Sequence, residues 1–179
     1  ISLSQDVQGE AFDYPEVFFE EKIHEIRRIH PDPRQIERAA EQIKKSKQPI
    51  IISGGGVLYS EAETELSEFA KKHNIPVTPT VMGIGCMDRD DPYYIGAIGC
   101  LGEGSSNSLS KDTDMALAVG TKLGDFTTGS WSNFHNPEFQ LVSINTARFD
   151  VTKHRATPVI SDAKIGLKQL SDDLGDWKA

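Results

Sequence analysis

The chain has 179 residues, of which 37% are hydrophobic and 8% aromatic, and its formal net charge is −8. This length predicts one domain with a moderate core, and the acidic balance excludes a non-specific nucleic-acid binder because phosphates would be repelled. The sequence contains no apolar run of about 18 residues and no basic-then-apolar leader, so it predicts neither a membrane span nor a secretory signal.

The N-terminal part, residues 1–31, is polar and irregular apart from four aromatic residues, Phe12, Tyr14, Phe18 and Phe19. This composition predicts an interdomain linker, or an arm that lies on a neighbouring domain. The first residue is Ile1 rather than Met, and the residues after it are typical of the middle of a protein. We therefore expect a domain of a longer chain, with residues 32–179 as the folded unit.

A helix is predicted to begin after Asp32. Asp32 can cap it, Pro33 suits the first helical position, and Gln35 can reach back to complete a capping box. Apolar residues continue the pattern at helical spacing, at Ile36, Ala39, Ala40 and Ile43. Residues 49–53 then form an unbroken β-branched run, which is typical of a strand buried on both faces of a parallel sheet.

The rest of the chain alternates strands with helices. Ser60 and Glu63 predict a second capping box, and Asp162 predicts the cap of a last helix. Further strands are predicted at residues 75–78, 115–119, 140–144 and 158–160, and a further helix at 105–111. Alternation of this kind predicts right-handed crossovers and therefore a parallel sheet.

Three glycine-containing loops follow predicted strands, at residues 54–56, 82–85 and 120–125. Ligands of open α/β sheets bind at the carboxyl ends of the strands, and glycine lets a phosphate approach the backbone, so a nucleotide site is one interpretation. The first loop is not a dinucleotide fingerprint, because Tyr59 occupies the last glycine position, nor a P-loop, because no Gly-Lys-Ser/Thr follows. The other interpretation is that these glycines form tight turns and let helices pack on strands.

No catalytic or metal-binding constellation is predicted. The five histidines have no ligand spacing, Cys86 and Cys100 make neither a disulfide framework nor a zinc site, and no Gly-x-Ser-x-Gly motif is present. We expect both cysteines to be reduced thiols, as is typical of the cytoplasm. The polar stretch 125–130 either binds a ligand or caps a helix, and Trp131 and Phe134 after it either cover that loop or pack on a partner subunit.

Several of these segments together resemble one family. They are residues 48–57, 75–77, 120–125, 142–145 and 161–163. Over residues 32–174 the pattern resembles the central domain of thiamine-diphosphate-dependent enzymes of the acetolactate synthase type. The resemblance implies a three-layer α/β sandwich of Rossmann-like type, with a central parallel sheet of about six strands.

Within the family, residues 14–19, 125–131 and 149–154 resemble the branch that hydrolyses a C–C bond of a cyclic dione in myo-inositol catabolism. In such enzymes thiamine diphosphate and Mg²⁺ are held by a pyrimidine-binding and a diphosphate-binding domain that flank the central domain. The resemblance implies that this chain is a non-catalytic domain, with no catalytic or metal-binding residue of its own. It also implies that the flanking domains of the same parent chain are its partners, and that the parent is a cytoplasmic homo-oligomer, a dimer or a tetramer.

In some relatives the central domain binds FAD or ADP. The corresponding candidate residues here are Gly54, Gly55, Gly56, Met82, Gly83, Gly120, Thr121, Lys122 and Asp125. Two departures count against a bound flavin: Ile84 stands where many relatives have Lys, and Lys122 stands where many have Arg, whose planar fork suits phosphate. We expect no cofactor in this domain; the alternative is a nucleotide-binding domain, for FAD, ADP or NAD, of an acetolactate synthase or decarboxylase relative.

Overall fold

A computed structural model describes residues 2–179, so Ile1, the first residue of the predicted arm, lies outside the described residues. The strands form one all-parallel sheet in the order β2-β1-β3-β4-β5, which confirms the predicted α/β class. Their bounds are β1 Pro49–Ser53, β2 Val77–Pro79, β3 Met115–Val119, β4 Gln140–Asn145 and β5 Thr157–Ile160. Each bound lies within two residues of the predicted one, because short β-branched runs between polar turns mark buried strands clearly.

Helices occupy the connections between the strands and part of the N-terminal segment. The α-helices are α1 Gln5–Gln8, α2 Pro33–Ile43, α3 Gly55–Tyr59, α4 Glu63–His73, α5 Gly104–Asp112, α6 Asp125–Thr128, α7 Arg148–Val151 and α8 Ala163–Leu174. Short 3₁₀ turns lie at Glu16–Phe19, Val81–Gly83 and Lys153–Arg155. The sequence did not predict α1, α3, α6 and α7, since helices of four or five residues are too short to show helical periodicity.

The sheet has five strands within residues 2–179, where about six were predicted. A sixth chain segment does approach β2, but it pairs at one point: Val77 forms a single parallel bridge with Tyr94. There the Val77 N–H donates to the Tyr93 carbonyl at 2.8 Å, and the Ile95 N–H donates to the Val77 carbonyl at 3.0 Å. Gly96, at φ +89°, then turns the chain, so the pairing does not extend into a strand.

The two faces of the sheet bury separate hydrophobic clusters, giving the predicted three layers. Ile51 belongs to the cluster covered by α2, α4 and α8, whereas Ile50 and Ile52 belong to the cluster on the opposite face. The residues outside the strands that cover this opposite face are Ile98, Leu123, Trp131, Phe134, Phe139 and Ala156. Strands buried on both faces explain why their sequences are continuously apolar rather than alternating.

Two of the predicted helix caps are present. The Asp32 carboxylate accepts a hydrogen bond from the Arg34 amide, and the Asp162 carboxylate accepts from the amides of Lys164 and Ile165. The other half of the first capping box, in which the Gln35 side chain bonds back to Asp32, was wrong, because Gln35 bonds to a distant part of the chain.

Gln35 and Ser60 both serve tertiary contacts instead of completing capping boxes. The Gln35 Oε1 accepts a hydrogen bond from the Ile160 amide at 2.9 Å, which fixes α2 to the end of β5. Ser60 ends α3, and its Oγ accepts from the Ala163 amide at 3.3 Å, while α4 begins without any side-chain cap. Long-range partners of this kind leave no local pattern in the sequence.

The C-terminal tail is fixed to α4 through the buried side chain of His73. Its Nδ1–H donates to the Trp177 carbonyl at 2.8 Å, and the Ser171 hydroxyl donates to its Nε2 at 2.9 Å. Burial lowers the pKa of His73, partly offset by the bond to Trp177 and reinforced by the positive charge of Lys72. The neutral ring is therefore the form that holds the tail.

We expect mild acidification to lower the free energy of unfolding, because it protonates His73. Because its folded pKa is lowered, the stabilisation is complete above the unfolded pKa of about 6.5 and is lost as the pH falls from there through the folded pKa. Urea unfolding at about pH 7.5 and about pH 5.5 measures this loss, and His73→Gln is the control that cannot titrate. An equal pH dependence in both proteins would contradict the assignment.

Candidate functional site

A cleft of about 1030 Å³ lies at the carboxyl edge of the sheet. All strands run parallel, so their carboxyl ends meet at this one edge, where open α/β sheets bind ligands. Residues that follow each of the five strands contribute to the lining, namely Gly55 after β1, Thr80 after β2, Gly120 after β3, Thr146 after β4 and Ser161 after β5. The fold thus brings together loops that are far apart in the sequence.

Six of the nine candidate residues line this cleft and three do not. Those in the lining are Gly55, Gly56, Met82, Gly120, Thr121 and Lys122. The others, Gly54, Gly83 and Asp125, lie outside the lining. For two of these, Gly54 and Gly83, the space that a side chain would need is filled by neighbouring backbone.

The first and third glycine loops pack directly on each other. A Cβ atom on Gly54 would lie 2.3 Å from the Gly120 carbonyl oxygen, and one on Gly56 would lie 2.6 Å from the Gly120 Cα. The Gly56 amide donates to the Gly120 carbonyl at 2.9 Å, and Gly120 itself has φ +61°. This geometry is what the tight-packing interpretation requires, because only residues without a side chain allow the two backbones to approach so closely.

The second glycine loop sits against the end of β1. A Cβ atom on Gly83 would lie 2.2 Å from the Ser53 carbonyl oxygen, and the Thr80 amide donates to that same oxygen at 2.8 Å. The neighbouring Met82 side chain remains 67% exposed at the rim of the cleft. The loop therefore combines a structural glycine with an apolar side chain that faces the solvent.

Among the described residues, the acidic residues of the cleft lining form ion pairs, whereas its cationic residues do not. Asp162 pairs with Arg28 at 3.0 Å, and Asp150 pairs with Lys153 at 2.6 Å. Arg27 and Lys122 also line the cleft, and neither forms an ion pair with any of residues 2–179. An anionic group would be the preferred occupant on electrostatic grounds.

Part of the cleft wall comes from the N-terminal arm, which sequence reasoning did not include in the site. Ile26, Arg27 and Ile29 line the cleft, although residues 1–31 were predicted to be an interdomain linker or an arm that lies on a neighbouring domain. The segment around Ile26 and Ile29 has no regular secondary structure, and its sequence does not indicate which part of the protein these residues contact. Tyr59 and Phe126 are further lining residues that were missed, both of them largely exposed aromatics.

The polar stretch 125–130 contains the short helix α6, but Asp125 does not cap it. Gly124 is the N-cap residue of this helix and no side chain bonds to the helix start, so the helix-cap interpretation of this stretch is wrong for the Asp125 side chain. Instead, Thr128 Oγ1 accepts a hydrogen bond from the Trp131 amide at 3.2 Å. Trp131 and Phe134 pack against the buried cluster on this face of the sheet, and thus cover the loop from within the domain.

Two of the segments that resemble the dione-hydrolysing branch meet in space. The Trp131 ring lies 4.3 Å from the His154 ring, centroid to centroid. Burial lowers the pKa of His154, and the charge of Lys153 lowers it further, whereas Asp125 and the Leu123 backbone oppose these effects. The stretch after β3 and the stretch after β4 therefore form one continuous surface beside the cleft.

The described residues do not fit a catalytic metal centre. Within residues 2–179, no group of three or more His, Cys, Asp or Glu side chains is placed to hold a metal ion. In the same part of the chain, none of the helices is both long and apolar enough to span a membrane.

Comparison with known proteins defines the class to which this fold and cleft belong. Residues 36–170 match the family described as thiamine pyrophosphate enzyme, central domain. The match covers most of the chain, which therefore belongs to this family. The predicted family relationship is confirmed.

Three similar curated proteins bear the name 3D-(3,5/4)-trihydroxycyclohexane-1,2-dione hydrolase, which for the Bacillus cereus protein ends in the number 1. The protein of Clostridium tetani is 44% identical over 97% of this chain, that of Bacillus cereus 42% over 97%, and that of Clostridium perfringens 43% over 95%. The predicted resemblance to the dione-hydrolysing branch is thereby confirmed. The chain spans only 27% of the length of these relatives, so each of them contains other regions as well.

Proposed function

We propose that this chain is the non-catalytic central domain of a thiamine-diphosphate- and Mg²⁺-dependent hydrolase. The parent would open the ring of trihydroxycyclohexane-1,2-dione to give 5-deoxyglucuronate in myo-inositol catabolism. The observation that carries the proposal is the 44% identity to a relative of that name over 97% of this chain. The dione and its product belong to the parent protein, because the chain corresponds to only 27% of that relative.

In this proposal the domain acts as a scaffold, and its residues take no part in bond cleavage. The flanking domains of the parent hold thiamine diphosphate and Mg²⁺, and the bound cofactor supplies the electron sink for cleaving the C–C bond. The contribution of this chain is its rigid parallel sheet, from which loops on one edge reach neighbouring parts of the parent.

The isolated 179-residue chain should not turn over the dione. Incubation with the dione, thiamine diphosphate and Mg²⁺, followed by detection of 5-deoxyglucuronate, measures this directly. The expected rate equals that of the protein-free control, because no described group combines a nucleophile or base with a cofactor site. Turnover by this chain alone would contradict the scaffold proposal.

We assign residues 1–31 to the interdomain arm, and residues 32–179 to the central domain itself. The arm carries an aromatic cluster formed by Phe12, Tyr14, Phe18 and Phe19, whose rings lie 4.6 to 6.2 Å apart in the contacting pairs. All four side chains are more than half exposed on this chain. We propose that the cluster packs on a flanking domain of the parent, which assembles as a cytoplasmic homo-oligomer, a dimer or a tetramer. The free thiols Cys86 and Cys100 are consistent with the cytoplasm.

Nucleotide binding is a second candidate function, and the cleft is the observation that favours it. Its volume of about 1030 Å³ is at the upper end of the range for ligand pockets, and its unpaired cations Arg27 and Lys122 suit a diphosphate. Gly55 and Gly120 present backbone to the cleft. This candidate corresponds to the acetolactate synthase or decarboxylase alternative.

The two candidates predict opposite results for thermal unfolding with ADP. A nucleotide site would stabilise the chain by about 2.7 kcal/mol when ADP is present at about 100 times its Kd. Lys122→Ala should abolish most of that shift, whereas Lys111→Ala, on helix α5, should leave it unchanged. An unfolding temperature that ADP does not change excludes an ADP site, and the same result with FAD and with NAD excludes the nucleotide-binding function.

A further inference from the structure

The arm is attached to the domain mainly through one arginine. The Arg28 Nη1 donates to the Ser60 carbonyl at 2.5 Å and to the Asp162 carboxylate at 3.0 Å, and the Nη2 reaches Glu61 at 3.4 Å. Arg28 is 32% exposed and Asp162 only 8%, so the inner pair is largely shielded from water. Shielding makes a charge-assisted bond of this kind stronger than an exposed one.

Two backbone contacts of Ile29 complete the attachment. The Ile29 carbonyl accepts hydrogen bonds from the Asp162 amide at 2.9 Å and from the Ser161 hydroxyl at 3.0 Å. Asp162 uses its Oδ1 to cap helix α8 and its Oδ2 to hold Arg28. The arm is therefore attached to a rigid point, the junction of β5 and α8.

Upstream of Arg28 the arm has no comparable attachment. The hydrogen bonds formed by residues 2–27 stay within that segment, among the residues that the structure describes. Ile26 is 84% exposed although it lines the cleft. The segment can thus change position without breaking any of the hydrogen bonds to the domain other than those of Arg28 and Ile29.

We propose that residues 26–29 form a movable wall of the cleft, which Arg28 holds in its closed position. Ile26, Arg27 and Ile29 line the cleft together with Ala163, the first residue of α8, which is 4% exposed. Release of Arg28 removes the wall and opens the cleft from the arm side. Whatever binds residues 2–25 and pulls on the arm then also changes access to the cleft, and the two events are linked reciprocally. This inference is independent of which ligand, if any, occupies the cleft.

Chemical labelling of a cysteine placed at a buried position of the cleft lining, residue 163, tests the proposal. The background is Cys100→Ser, which removes the exposed thiol, together with Ala163→Cys; the native Cys86 is fully buried. Adding Arg28→Ala should raise the rate of iodoacetamide labelling at position 163 by roughly tenfold, the effect of losing one well-shielded charged attachment. Arg34→Ala removes the same charge from helix α2 and should not change the rate. Equal labelling rates with and without Arg28→Ala would overturn the proposal.

Hydrogen exchange provides a second measurement that needs no introduced cysteine. In the single variant Arg28→Ala, the Asp162 amide, which donates to the Ile29 carbonyl, should exchange roughly ten times faster than in the unmodified chain. Amides within β3 report on the whole fold and should keep their rates. Unchanged exchange at Asp162, or an equal acceleration in β3, would show that Arg28 does not hold a separate wall.

Discussion

Gly54→Ala should lower the free energy of unfolding by roughly 3 kcal/mol. The added Cβ would lie 2.3 Å from the Gly120 carbonyl oxygen and 2.8 Å from the Thr121 Cα. Both are backbone atoms, so the contact cannot be relieved by rotating a side chain, and the loops after β1 and β3 must separate. Gly54 itself has φ −109°, so the loss of stability comes from separating the two loops and not from an unfavourable dihedral angle.

Urea unfolding measures this effect, and Gly104→Ala is the matched control. Gly104 is the first residue of α5, and a Cβ there would meet nothing within 4 Å. We expect that variant to be neutral or slightly more stable, by up to about 1 kcal/mol, since alanine restricts the unfolded chain. Equal midpoints for Gly54→Ala and Gly104→Ala would contradict the packing of the glycine loops described here.

Replacing Phe18 and Phe19 together by Ser should strongly lower the stability of the parent protein and leave the stability of the isolated chain unchanged. The two rings are 60% and 72% exposed on this chain, so little burial is lost when they are removed from it. If they pack on a flanking domain, that contact contributes about 1.5–3 kcal/mol for each fully buried ring. The prediction is a clear fall in the unfolding temperature of the parent, and a change within about 0.5 kcal/mol in the 179-residue chain.

The experiment is informative because it compares the same double substitution in the parent protein and in the isolated 179-residue chain. A loss of stability in both would mean that the aromatic cluster is part of the central domain, and no loss in either would mean that the arm packs on nothing. Tyr59→Ser is a suitable control, because Tyr59 is 78% exposed but lies at the cleft on the central domain. It should leave the stability of the isolated chain unchanged.

The parallel sheet was predictable because its signals are local. Ile50, Ile51 and Ile52 form a run that fits only a strand buried on both faces, and the structure places them in the sheet with both faces covered. Asp32 and Asp162 were also identified correctly as caps, since a cap involves residues only two or three positions away. Local chemistry thus accounts for most of the element order.

The features that were not predicted depend on contacts between distant residues. Gln35 bonds to Ile160, and Ser60 to Ala163, and nothing near them in the sequence indicates these partners. The glycine loops were identified, but their packing on one another follows only from the strand order that puts β1 next to β3. The wall contributed by the arm was missed for the same reason, because Arg28 meets its partners 32 and 134 positions further along the chain.

The most direct test of the account is dione turnover by the full-length parent, assayed beside the 179-residue chain. We predict that the parent converts trihydroxycyclohexane-1,2-dione to 5-deoxyglucuronate only when thiamine diphosphate and Mg²⁺ are supplied, and that the chain alone forms no product. A parent that binds thiamine diphosphate but converts pyruvate instead of the dione, or product formation by the chain alone, would contradict the account.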